Sequence, residues 1–187
     1  MSSRRVRLTL AAALALGLVG TSLALAAGSG RRDDDGNLRA KLSGFQEVPA
    51  LNTPGHADFT ATMTNTQITF KLVYADLTGP PSAAHIHVGQ RGVNGGVSVF
   101  FCGGGGKPAC PASNSGTVEG TIVAADVLGP VAQGFNAGDL AAVERAIRAG
   151  VTYANMHTAK FPGGEIRGQI RAHGDDNGSK KGKKKDK

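Results

Sequence analysis

His85 and His87 stand two apart in the run Ala83-Ala84-His85-Ile86-His87-Val88, and a third histidine, His157, closes the run Tyr153-Ala154-Asn155-Met156-His157. In extended backbone, residues i and i+2 share a face. The first two imidazoles therefore point one way, and Ile86 and Val88 the other. His157 shares its face with Asn155 and Tyr153, and Glu165, Arg167 and Gln169 alternate onto one face of the segment that follows. Neutral imidazole is a common ligand for Zn²⁺ and Cu²⁺. Brought together from different strands, His85, His87 and His157 could hold such an ion, with Glu165 or a water as fourth ligand. The competing reading is a structural network, in which Asn155, Glu165 and Arg167 satisfy backbone groups of the Gly-rich connections. Glu165 and Arg167 could equally form an ordinary cross-strand ion pair.

Catalytic constellations are thinner, and no catalytic residue is assigned. A His-x-His strand resembles that of copper–zinc superoxide dismutase, but His56 and His173 are the only other histidines, too few for a two-metal redox centre. No nucleophile elbow accompanies the serines. The glycine runs do not lead into the Lys-Ser/Thr of a phosphate loop. Glu47 and Glu165 could be paired acids for glycoside hydrolysis, but their separation is not set by the sequence. Tryptophan is absent, which argues against a sugar-stacking platform.

These residues need a scaffold, and the chain divides readily. Arg4, Arg5 and Arg7 precede an apolar run from Leu8 to Ala27 that contains Ala24-Leu25-Ala26. That is the pattern of a secretory signal peptide over residues 1–26. An uncleaved membrane anchor and a twin-arginine route are the alternatives. Residues 27–37 read as a linker. Residues 174–187 hold six Lys and three Asp with no apolar side chain, and are expected to be a disordered tail. One domain remains, over 38–173.

The formal net charge of +7 belongs largely to the ends, since residues 38–173 carry ten basic and eight acidic side chains. Specific nucleic-acid recognition is not expected of such a domain. The Lys-rich tail is expected to be mainly solvating, with an anionic polymer or lipid as its alternative partner. Cys102 and Cys110 flank Gly-Gly-Gly-Gly-Lys-Pro-Ala. An even pair in an exported chain predicts a disulfide, and two cysteines alone cannot build a Cys-rich zinc site.

Within 38–173, apolar and polar residues alternate over Ala57–Met63 and Ile68–Tyr74, separated by Asn65-Thr66-Gln67. This predicts a hairpin. Further strands fit Leu38–Phe45, Ala83–Val88, Val97–Cys102, Thr117–Ala124, Val151–His157 and Glu165–Arg171. One helix fits between Asp139 as N-cap and Gly150 as terminator, with Leu140, Val143 and Ile147 on one face. The predicted class is mainly β: an antiparallel β-sandwich or barrel of about eight strands with one short helix.

Three segments resemble the CHRD (chordin-repeat) domain family. They are Gly44-Phe45-Gln46-Glu47-Val48-Pro49, then Ala83-Ala84-His85-Ile86-His87-Val88-Gly89 with Gly92-Val93-Asn94-Gly95, and last Tyr153 to Thr158 leading into Phe161-Pro162-Gly163-Gly164-Glu165-Ile166-Arg167-Gly168-Gln169. The resemblance spans about residues 40–171, and the Cys102–Cys110 loop looks like an insertion within it. It implies an extracellular domain that, in bacteria, stands alone behind a signal peptide without a settled activity. It does not extend to the Cys-rich modules of chordin, so growth-factor antagonism is not carried over. The leading expectation is a non-enzymatic extracellular or periplasmic binding or structural module for an unidentified ligand. The alternative is a His-based Zn or Cu protein, with a hydrolase or redox enzyme behind both.

Overall fold

The structure, a computed structural model, describes residues 36–172. The predicted signal peptide, nearly all of the linker, His173 and the Lys-rich tail lie outside the described residues. The elements are β1 (Asn37–Ser43), β2 (His56–Met63), β3 (Gln67–Ala75), β4 (Pro81–Val88), β5 (Gly96–Cys102), β6 (Gly116–Val123), α1 (Leu140–Arg148), β7 (Thr152–Thr158), β8 (Ile166–Gln169) and β9 (Arg171–Ala172). The strands form one antiparallel sheet in the order β5-β4-β7-β8-β1-β2-β3-β6, with β9 beside β1. Its end strands β5 and β6 approach each other, so the sheet is a nearly closed barrel.

Strands β2 and β3 alternate strictly between exposed and buried side chains. Their inward residues meet those of the other strands in one core, where Phe101 packs against Phe59 and Phe70 at 5.4 and 4.6 Å between ring centroids. Full burial of a side chain such as Ile68, Ile86 or Ile122 stabilises the fold by about 1.5–3 kcal/mol each. Helix α1 places Leu140, Val143 and Ile147 into this core. The Asp139 side chain accepts from the Ala142 N–H at 2.8 Å, and Gly150 takes a left-handed φ of 68° after the last turn, as a helix stop requires. Among the described residues no helix is long and apolar enough to cross a membrane.

Three boundaries differ from the sequence-based expectation. Asn37, assigned to the linker, is the first residue of β1. Phe45, placed at the end of the first strand, lies instead in a 3-10 turn over Gly44–Gln46 and is 72% exposed. The last predicted strand divides: Glu165 sits at a bend before β8, and Ile170 interrupts the ladder before β9.

Cys102 and Cys110 are bridged. The enclosed loop is also held by the Gly103 N–H on the Pro108 carbonyl at 2.8 Å and by a Lys107–Asp126 ion pair at 2.8 Å. For a loop this short, the chain-entropy treatment assigns the bridge about 2.5 kcal/mol. Urea unfolding with and without reductant is expected to differ by that amount. A difference below about 1 kcal/mol would mean that the other contacts already restrict the loop in the unfolded chain.

Candidate functional site

Strand β4 lies between β5 and β7 and is buried on both faces from Ala84 to Val88. Ala84 and Ile86 enter the barrel core, as alternation requires. His85 and His87 point outward, yet they are only 5% and 9% exposed. Their cover comes from neighbouring side chains and from loops. Phe100 meets His85 edge-on at 4.8 Å, and Tyr153 stacks on His87 at 4.7 Å with only 6° between the rings. The loop after β4 folds back, and Gly95 receives the His87 ring.

His157 joins them from β7. The ring centroids lie 4.6 Å apart for His85 and His87, 4.5 Å for His85 and His157, and 6.3 Å for His87 and His157. One ring nitrogen of each histidine lies within 4.8 Å of those of the other two. The hydrogen bonds also orient two of the rings. His87 Nδ1 lies 2.8 Å from the Gly95 carbonyl, and His157 Nδ1 lies 2.9 Å from the Pro162 carbonyl. A carbonyl only accepts, so each Nδ1 donates, and each neutral ring keeps a bare lone pair on Nε2. Those two Nε2 atoms and His85 Nδ1 are buried without a hydrogen-bond partner.

The electrostatics keep the rings neutral. Burial, reinforced by His87 and His157, lowers the pKa of His85 to about 3. Burial likewise lowers that of His87 to about 4, with the Gly95 carbonyl and the nearby Asn155 side chain opposing and the charges of His157 and Arg167 adding to the fall. His157 is lowered by burial against the pull of the Pro162 carbonyl. Neutral imidazole is the form that coordinates a metal.

The polar residues around the cluster divide into two groups. Arg167 lies over the outer face of Tyr153, its guanidinium carbon 4.7 Å from the ring centroid, which makes a stack of Arg167, Tyr153 and His87. Its Nε donates to the Gln46 carbonyl and one terminal nitrogen to Asn94 Oδ1 at 2.9 Å. Asn155 donates to Glu47 Oε1 at 2.7 Å and to the Ile166 carbonyl at 2.9 Å. Asn155 and Arg167 thus tie the loops after β1 and β4 to β7 and β8.

Among the described residues Glu165 bonds neither to the histidines nor to Asn155 or Arg167. Strict alternation put it beside Arg167, but the chain bends at Glu165 after Gly164, whose φ is 120°. Its carboxylate accepts from Thr53 Oγ1 at 2.7 Å, Thr78 N at 2.9 Å, Thr78 Oγ1 at 2.8 Å and Thr158 Oγ1 at 2.7 Å. The metal-capable group holds the three histidines without it, and no Glu165–Arg167 ion pair forms among the described residues. His56 stands apart as well, exposed at the start of β2.

The sequence reading passed over several contributors: Phe100, the carbonyls of Gly95 and Pro162, and the three threonines. Glu47, a candidate acid in the sequence, accepts from the Asn155 amide. Glu47, Asn94, Gly95 and Pro162 do fall within the segments that carry the family resemblance. Gly164 shows why that segment is constrained: a Cβ there would lie 2.8 Å from Asn155 Nδ2 and 2.9 Å from Glu47 Oε1.

No curated protein and no solved structure shows significant similarity to the chain. A family model, the CHRD domain, matches residues 38–170. That match runs from β1 into the segment between β8 and β9 and takes in all three histidines and the loops that cover them. On that extent, the chain belongs to the CHRD domain family.

Proposed function

We propose that this CHRD domain is an exported, non-enzymatic module that binds one Zn²⁺ or Cu²⁺ through His85, His87 and His157. The observation that carries the reading is the set of three buried, unpartnered ring nitrogens, two of them held as lone-pair acceptors by backbone carbonyls. A buried polar atom without a partner costs about 1–3 kcal/mol, and a metal ion would satisfy all three at once. A hydrogen bond donated by the far ring nitrogen to a carbonyl is the usual way to orient such ligands. Tetrahedral coordination at about 2.0–2.1 Å places ligand nitrogens about 3.3 Å apart, so the rings must converge by up to about 1.5 Å. Imidazole suits both ions. The disulfide fits an oxidising compartment outside the cytoplasm.

Calorimetric titration of the metal-free chain with Zn²⁺ and with Cu²⁺ tests this. One equivalent is expected to bind, and His85→Ala/His87→Ala is expected to weaken binding by about 100-fold or more, since loss of a group that merely orients a ligand already costs up to that much. Equal, weak binding by both proteins would sink the metal reading. A structural role is favoured instead by the loop contacts of Asn155 and Arg167. On that reading the double variant unfolds at lower urea whether or not metal is present.

A further inference from the structure

The three unpartnered ring nitrogens form a closed donor set without an anion. His85 Nδ1, His87 Nε2 and His157 Nε2 are all out of contact with solvent. Among the described residues no aspartate, glutamate or cysteine joins the group. The two buried glutamates are committed elsewhere: Glu47 accepts from Asn155, and Glu165 from Thr53, Thr78 and Thr158. Arg167 brings a positive charge to the site, since it lies over the face of Tyr153 opposite His87. An ionised Glu47 would do no more than cancel that charge. The rest of the cover is aromatic, with Phe100 edge-on to His85 and Tyr153 flat against His87.

Such a site discriminates between ions by charge. The Born cost of leaving water grows with the square of the charge, so a dication costs about four times as much to bury here as a monocation of the same size. Nothing in the donor set repays the difference, because all three ligands are neutral. Zn²⁺ and Cu²⁺ also call for a fourth ligand or more, and the group supplies three. Cu⁺ carries a single charge, has a filled d shell that imposes no geometry, and is satisfied by two or three nitrogens. Neutral imidazole is softer than carboxylate or water and suits it. The alkali cations share the charge, but hard ions take oxygen donors.

We infer that the ion this site holds most tightly is Cu⁺, three-coordinate on His85, His87 and His157. The inference rests on the metal reading above and narrows it. The experiment titrates the metal-free full chain with Cu⁺, anaerobically against bicinchoninate with ascorbate as a thiol-free reductant, and with Zn²⁺ and Cu²⁺ by calorimetry. Thiol titration before and after checks that the Cys102–Cys110 bridge is kept, because free thiolates would bind Cu⁺ themselves. Cu⁺ is expected to bind about 100-fold or more tightly than either dication. Its X-ray absorption is expected to show three nitrogen ligands. His85→Ala/His87→Ala is expected to weaken Cu⁺ binding by about 100-fold or more. Phe100→Glu sets a carboxylate opposite His85 across the β4–β5 ladder and is expected to cut the preference for Cu⁺ over Zn²⁺ by about tenfold or more. If that variant does not fold, the affinities of the unaltered chain decide alone. Zn²⁺ or Cu²⁺ bound as tightly as Cu⁺ would overturn the inference and leave the metal reading standing. Cu⁺ held equally by the double histidine variant would overturn it as well. Failure of all three ions to bind would overturn both.

Discussion

Glu165→Ala is expected to cost about 4 kcal/mol of folding stability, and Glu165→Gln about 2 kcal/mol. The Glu165 side chain is completely buried, and four donors converge on its carboxylate with no cation paired to it among the described residues. Burial alone would raise its pKa, but the bonds from Thr53, Thr158 and Thr78 together outweigh burial and hold it below the ordinary glutamate value. The stabilisation is therefore complete above the unfolded-state pKa and is lost as pH falls through the lower native one. Alanine leaves the donors facing a void, and each orphaned buried donor costs about 1–3 kcal/mol. Glutamine keeps one oxygen for the Thr78 N–H, and the threonine hydroxyls can rotate to accept from its NH₂, so only the charge-assisted strength is lost. Urea unfolding at neutral pH checks both values. A loss below about 1 kcal/mol for alanine would show that the threonines find other partners. Zn²⁺ affinity of the glutamine variant is expected to equal that of the parent chain, because the carboxylate lies outside the histidine group.

The contrast between Glu165 and the histidines shows how far strand periodicity reaches. His85 and His87 share a face because they sit inside β4, and a period of two is a property of extended backbone. The same rule failed one residue outside β8, where the chain bends and the carboxylate turns to Thr53, Thr78 and Thr158. Nothing in the spacing of three single threonines marks them as donors to one carboxylate, since their partners lie as far as 112 residues away. The hairpin of β2 and β3 and the helix after Asp139 were legible because local alternation and capping decide them. The approach of His157 to β4 was not local. It follows from β7 inserting between β4 and β8, which sets Ala83 opposite His157 and His87 opposite Tyr153. The burial of the outward-facing histidines was hidden for a similar reason, because Phe100 of β5, Tyr153 of β7 and the loop around Gly95, all distant in sequence or outside β4, cover them. Gly168, within a segment quoted for the resemblance, marks one close approach: a Cβ there would collide with the Lys41 carbonyl of β1.

Glu47→Gln is expected to stabilise the protein by about 3 kcal/mol at pH 8 while changing little at pH 4.5. Glu47 is 7% exposed, and burial raises its pKa from 4.5 to about 7. The charge of Arg167, the Asn155 amide and the Val48 backbone N–H pull the value down without cancelling burial. Arg167 spends its donors on the Gln46 carbonyl and on Asn94 rather than on this carboxylate. With the native pKa above the unfolded one, the native state holds the extra proton between about pH 4.5 and 7. Stability therefore falls as pH rises through that window, and the loss is complete above it. At 1.36 kcal/mol per pKa unit, the full effect is about 3 kcal/mol. Glutamine cannot ionise, and its amide oxygen can still accept from Asn155. The stability difference between variant and parent, from urea unfolding at four pH values between 4.5 and 8, is expected to grow steadily. Taking the difference isolates Glu47, because the histidines titrate alike in both proteins. A difference that stays flat, or a variant less stable at pH 8, would mean that Arg167 compensates the buried charge. Glu47 would then be an anion at neutral pH, bonded to Asn155 two residues before His157.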